Sequence, residues 1–398
     1  MNAITNNTVS IVLNNVGLKA VKSGHPWLYD QSIIKKNKEA KSGDIAVLYD
    51  EKRKFAGVGL YDANSPIVVR VLHRGQPIQL SKEWLADKFY NAIQKRQRLA
   101  ADDTTTGYRL INGENDSIPG IVLDKYDTTL VLKIDSTCWL PHLQTLTDII
   151  AESQPLDRLV LRMSRSVIKF SDKEDGEIIY GKIITEPIIF SENGILFYAD
   201  PVKGQKTGFF LDQRDNRAET GRISKGEDVL NVFSYTGGFS LYAAKNGANS
   251  VTSLDLSKPA LDASIENFNL NEFTCPHKTI CGDAFEEMEK LVAAKVKFGV
   301  VVVDPPSFAR KLSDTPSALK AYHKLIKLAS KLVDRGGILV SASCSARVTK
   351  EEFFEIVKHA VKASGRKSTE LKRTEHALDH RVGFPQGAYL KCVFTRID

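Results

Sequence analysis

In the C-terminal half of this 398-residue sequence, chemically capable residues recur at regular intervals, each just after an apolar run. Gly237 and Gly238 follow "DVLNVF", Asp255 follows "SVTSL", Asp283 follows "KTIC", Asp304, Pro305 and Pro306 follow "FGVVVV", and Cys344 stands between two serines after "GGILVSA". A glycine pair lets a ligand approach the backbone closely. Asp255, eighteen residues beyond Gly237, is placed to accept two ribose hydroxyls, and Asp283 to accept from an adenine amino group. The turn does not match G-x-G-x-x-G and lacks the Walker lysine, so dinucleotide and ATP readings lose ground. A nucleoside without phosphates fits the set, and S-adenosyl-L-methionine is the common ligand of that kind. Taken singly, Asp255 or Asp283 is more simply a helix cap; their order along the chain carries the signal. Cys344 could equally fill a strand, as free cysteines often do, but "ILVSA" points into a sheet and leaves "SCS" at its carboxyl end, where ligands bind.

The elements that must position these residues are apolar strands alternating with helices from about residue 191 to the end. Such alternation specifies an α/β Rossmann-like domain, a parallel sheet covered on both faces. Helices are expected over 318–333 and from Lys350, the latter started by a capping box of Thr349 and Glu352. The last segment, "ELKRTEHALDHRVGFPQGAYLKCVFTRID", reads as strand, loop, strand and suits a closing antiparallel hairpin. Upstream, Val9 to Leu72 is a succession of short strand-like runs with only short intervals for helices, a small β-barrel-like domain over 1–76. An α+β middle domain follows over 77–190. It opens with "SKEWLADKFYNAIQKRQRLA", a helix with Ser81 at its N-cap, and continues through a hairpin turning around Lys125 to Asp127, a helix near 140–152, and strands at "RLVLRM" and "GEIIYG".

Composition is that of a soluble globular protein. The N-terminus lacks the basic and apolar regions of a signal peptide, and no uncharged apolar run is long enough to span a bilayer, so a cytoplasmic protein without membrane contact is expected. The five cysteines are unevenly spaced with no C-x-x-C pair, which points neither to disulfides nor to a metal site. A net charge of +7 suits a polyanionic partner. Residues 1–80 hold eleven Lys and Arg against six Asp and Glu, which places a nucleic-acid face near the N-terminus.

The stretches "GQKTGFFLDQRDNR", "VLNVFSYTGGFSLYAAKNGA", "LDLSKPALDASIENFNLN", "FGVVVVDPPSFAR" and "SASCS" resemble the class I methyltransferase domain of the ribosomal RNA large-subunit cytosine-5 methyltransferases. "KAVKSGHPWLYDQSI" resembles that family's N-terminal PUA domain, and "GENDSIPGIVLDKY" its middle domain. The resemblance implies S-adenosyl-L-methionine as donor, RNA as acceptor and Cys344 as nucleophile, with Asp304 and Pro305 bordering the target base. It also implies that Asp255 holds the ribose, Asp283 the adenine, and the backbone of Phe233, Ser234, Tyr235 and Gly237 the methionine part, with Lys206, Thr207, Gly208 and Arg214 covering the cofactor. Two positions depart from the family pattern: Asn231 stands where an acidic residue is common, and Ser117 where glycine is usual. A homodimer is among the assemblies that the sequence allows.

Two alternatives stay open at this level. Amino-group methyltransferases also use D-P-P, favouring an aromatic directly after the prolines; here Ser307 comes first and Phe308 second. The other is a non-catalytic RNA-binding or ribosome-assembly factor that keeps the cofactor fold.

Overall fold

The computed structural model describes residues 4, 5, 7–309 and 311–398. The chain forms two compact units. The first takes the chain up to Ser191 together with Ala199–Leu211 and Asp379–Phe384; the second takes Glu192–Tyr198, Asp212–Leu378 and Pro385–Asp398.

Two sheets build the first unit. One has six strands in the order Trp27–Tyr29, Ile67–Arg74, Phe55–Tyr61, Ile45–Tyr49, Thr8–Leu13 and Ile33–Lys36. It is mixed, Thr8–Leu13 running parallel to Ile45–Tyr49 and antiparallel to Ile33–Lys36. It also includes a nine-residue helix, Asn15–Ser23, where the sequence suggested strands with little room for helix. Asn14 starts the helix by accepting from the Gly17 amide, and Gly24 ends it at φ 86°. Gly17, a poor helix former, hides the helix in the sequence; it is there because a Cβ would lie 2.9 Å from Ser32.

The other sheet has five strands, Gly107–Asn112 at one edge, then Ile121–Tyr126, Thr129–Ile134, Arg158–Met163 and Ile178–Gly181. Its hairpin turns at Asp127, which has φ 54°. The expected helix after Ser81 runs over Lys82–Gln94, with the Ser81 hydroxyl accepting from the Trp84 amide. The helix expected from about 140 starts at Leu143, because a 3-10 turn containing Pro141 occupies Thr137–His142. Ile45, Val58 and Leu72 of the six-stranded sheet share one core with Leu85, Phe89, Trp139 and Ile150.

The second unit is built on a seven-stranded sheet whose strands, in chain order, are β1 (Asp228–Val232), β2 (Ser250–Asp255), β3 (His277–Cys281), β4 (Phe298–Val303), β5 (Val333–Ser343), β6 (Ser368–Thr374) and β7 (Lys391–Ile397). Their spatial order is β3-β2-β1-β4-β5-β7-β6. The first five are parallel, and β7 runs antiparallel to both β5 and β6. The order therefore reverses between β1 and β4, the kind of switch point at which open α/β sheets leave a crevice for ligands. β4 is buried at every residue, while β3, at the edge, is largely exposed, so not every strand is as apolar as the sequence suggests. Helices Thr315–Leu332 and Lys350–Ala363 cover one face, the second opened by the Thr349 and Glu352 capping box.

Candidate functional site

Strand register sets the chemical residues side by side. Val232 pairs with Leu254 and Val303, Asp255 with Cys281, and Val303 with Ser341. Phe233, Asp255, Asp283, Asp304 and Cys344 thus all stand at the carboxyl edge of one sheet, each at or just beyond its strand's end.

The loop after β1 is backbone bent against its preference. Phe233 (φ 61°), Tyr235 (φ 48°) and Gly237 (φ 85°) are left-handed at alternate positions. For residues with a side chain this costs roughly 1–2 kcal/mol each. Strain of this kind persists where neighbours enforce it and concentrates at functional sites. Here the Ser234 amide donates to the Leu254 carbonyl at 3.0 Å and the Tyr235 amide to Asp255 Oδ2 at 2.8 Å. Asp255 Oδ1 accepts from the Ser257 amide at 2.9 Å, so the carboxylate shapes the loop while keeping further lone pairs. Leu256, next in the chain, holds an apolar side chain 74% exposed. Asp283 caps helix Ala284–Ala293, Oδ1 accepting from the Phe285 and Glu286 amides, which leaves its second oxygen for a ligand. The cap reading and the ligand reading of this residue are compatible.

Whether S-adenosylmethionine suits these residues can be tested on buried atoms. Ser234 Oγ and Thr236 Oγ1, both in the strained loop, are buried with no hydrogen-bond partner among the described residues. Orphaned hydroxyls of this kind call for a polar ligand, and the amino and carboxylate groups of a methionine moiety supply one. The residues fit the cofactor. Asn231 lies deeper, 1% exposed, its Nδ2 donating to Ser240 Oγ at 2.9 Å and its Oδ1 buried without a hydrogen-bond partner among the described residues.

The catalytic candidates meet at the ends of β4 and β5. Cys344 Sγ lies 3.9 Å from the Pro305 carbonyl. Asp304 Oδ2 accepts from Gln213 Nε2 at 2.9 Å, and Gln213 is in turn held by Asn216, which accepts from Thr374. Ser345 Oγ lies 3.0 Å from Ser307 Oγ and 2.9 Å from the Tyr322 hydroxyl. Burial pushes the Tyr322 phenol up to about 12, with the charges of Cys344 and Asp304 adding to the shift. Phe308 packs against Tyr322 with ring centres 4.8 Å apart.

Arg214 is buried, 3.4 Å from Asp215. Lys206, Thr207 and Gly208 fall in the first unit. There Thr207 donates to Asp124 Oδ2 at 2.6 Å and lies 2.9 Å from the Tyr126 hydroxyl, while Lys206 sits over the Phe210 ring. The sequence did not single out Gln213, Tyr322 or Lys391. Gln213 lies within a quoted motif, but nothing in the text marks it as the partner of Asp304. Lys391 stands in an apolar strand with no local signal at all.

A family model described as a PUA-like domain matches residues 11–74, and one described as S-adenosylmethionine-dependent methyltransferase matches residues 163–370. A ribosomal RNA large subunit methyltransferase of Deinococcus radiodurans is 43% identical over 386 residues, covering 95% of both chains. The chain belongs to the ribosomal RNA large-subunit methyltransferase family. A member from Vibrio campbellii, named ribosomal RNA large subunit methyltransferase I, is 33% identical and covers 96% of this chain and 98% of its own. A methyltransferase structure from Streptococcus mutans has a TM-score of 0.83 at 23% identity, covering 97% of this chain and 99% of that one, which speaks to fold. As a family member the protein has a PUA-like N-terminal domain and a Rossmann-like, S-adenosylmethionine-dependent methyltransferase domain. Among the described residues no helix is long and apolar enough to cross a membrane.

Proposed function

We propose that this protein forms 5-methylcytosine in large-subunit ribosomal RNA, with Cys344 as the nucleophile. The observation that carries the reading is the placement of Cys344 Sγ 3.9 Å from the Pro305 carbonyl, on the strand end beside Asp304. RNA as substrate is supported by the names of the relatives and by the PUA-like domain, on which Lys35 and Lys38 are exposed cations.

Phe233, Ser234, Tyr235, Gly237, Asp255 and Asp283 hold S-adenosylmethionine, and Pro305 borders it. When bound, it supplies an electrophilic methyl group on a sulfonium. Carbon 5 of cytosine is too weak a nucleophile alone, so the Cys344 thiolate adds to carbon 6 and moves an electron pair to carbon 5. Asp304, as a carboxylate, stabilises this adduct by accepting a hydrogen bond from ring nitrogen 3, which borrows a proton from water and returns it when the ring is restored. Once carbon 5 carries the methyl group, loss of its proton to a base returns the electron pair to the ring and expels the thiolate. Amino-group methylation has less support, because Phe308 is committed to packing on Tyr322 rather than offered to a base.

The test is incubation with labelled donor and unmodified ribosomal RNA or assembled subunits, followed by nucleoside mass spectrometry. Label in 5-methylcytosine is expected; label in a methylated amine refutes the reading. RNA containing 5-fluorocytosine should trap a covalent adduct through Cys344, since fluorine cannot leave as a proton does. Undiminished methylation by Cys344→Ser would remove the thiolate mechanism.

A further inference from the structure

Lys391 opens β7 opposite Ser343, the last residue of β5 before Cys344, and is 1% exposed. Its Nζ donates to the carbonyls of Ser345 at 2.6 Å, Val348 at 2.7 Å and Tyr389 at 3.2 Å. All three ammonium protons are used, and every acceptor is a neutral carbonyl. Among the described residues no carboxylate lies within ion-pairing distance of it. A buried cation is normally paired with an anion, and this one is not, although two of its three bonds fasten the turn immediately after Cys344. Burial brings the ammonium down to about 8, and the strongest influence in the opposite direction is the charge of Cys344. Attraction between two sites is reciprocal: the thiolate that keeps the proton on Lys391 is itself favoured by the ammonium.

We propose that Lys391 is the built-in counter-charge of Cys344, fastening the turn that follows the cysteine and keeping its thiol ionised at neutral pH. The inference rests on the reading of Cys344 as nucleophile and supplies what that reading needs. Other groups that bear on this end of the sheet include Asp304 after β4, Tyr322 on helix Thr315–Leu332, Lys350 and Glu352 on helix Lys350–Ala363, with Glu375 paired to Lys350, the exposed Arg347 in the turn after Cys344, and His376, which accepts from the Leu390 amide. Asp304 and Glu352 oppose a second negative charge, and Lys350 is 34% exposed at its side chain, so the fully buried cation is the effective one.

The test is the pH dependence of Cys344 alkylation by iodoacetamide in the full-length protein, read peptide by peptide in a mass spectrometer. Lys391→Arg keeps the charge and should keep the wild-type midpoint. Lys391→Gln, which retains donors for two carbonyls, and Lys391→Met should raise the midpoint by about one unit or more, slowing alkylation at neutral pH about tenfold. Melting curves establish that each variant is folded. An unmoved midpoint in either folded, uncharged variant overturns the proposal, even if methyl transfer is lost. If neither folds, the wild type decides: a midpoint at or above about 8.5, the ordinary thiol value, overturns it. Methyl transfer by Cys344→Ser overturns the nucleophile reading separately, because alkylation is measured without turnover.

Discussion

Replacing Gly237 by alanine tests the cofactor loop at its tightest point. Gly237 has φ 85°, and a Cβ there would lie 2.3 Å from Ser264 Oγ and 3.0 Å from Leu241 Cδ1. Two contributions follow. The left-handed backbone costs an alanine roughly 1–2 kcal/mol, and overpacking against Ser264 costs about 1–3 kcal/mol. Together they should lower the melting midpoint by about 4–20 °C. The two parts are separable, because Ser264 Oγ is buried without a hydrogen-bond partner among the described residues. Removing an unpartnered hydroxyl is close to neutral, so Ser264→Ala alone should change stability by less than about 0.5 kcal/mol. In the Gly237→Ala background the same change should recover the overpacking part and leave the backbone part, a coupling that a double-mutant cycle measures. The assay is thermal unfolding with and without S-adenosylhomocysteine. Saturating ligand at a hundredfold its Kd should add about 2.7 kcal/mol to the wild type and distinctly less to Gly237→Ala. Strictly additive effects, or a Gly237→Ala protein that melts and binds like the wild type, would refute the reasoning about this loop.

Gln213→Leu removes the hydrogen bond that orients Asp304 while keeping bulk; a bond to a charged carboxylate is worth about 1.5–3 kcal/mol, so single-turnover methyl transfer should slow roughly ten- to a hundredfold with cofactor affinity unchanged by calorimetry. Ser117 sits at φ 63°, so Ser117→Gly should raise stability in urea unfolding by about 0.5–1 kcal/mol, and a loss would contradict the strain. Burial brings His277, stacked on Phe268 at 3.8 Å, down to about 4. Between that value and about 6.5 the unfolded chain binds the extra proton, so stability should fall as pH drops through this window, and His277→Gln should flatten the fall in denaturant titrations.

The alternation of apolar strands and helices, the order of the strand-end residues and the capping of helix Lys350–Ala363 were legible in the sequence because they are local. Period, punctuation and spacing are written into consecutive residues, and a parallel sheet then brings Asp255, Asp283, Asp304 and Cys344 to one edge. Helix Asn15–Ser23 escaped notice because Gly17 is there for a contact with Ser32, and a contact overrides propensity. Long-range partners escaped for the same reason. Gln213 orients Asp304 across 91 positions, and Lys391 holds the Ser345 carbonyl across 46. Nothing in an apolar strand beginning with a lysine says whether its ammonium faces water or is buried against backbone carbonyls. Residue type and strand order in the sequence thus determined which groups stand at the carboxyl edge of the sheet. Only the tertiary structure decided their orientation and their hydrogen-bond partners, because contacts between distant residues exist only once the chain has closed around them.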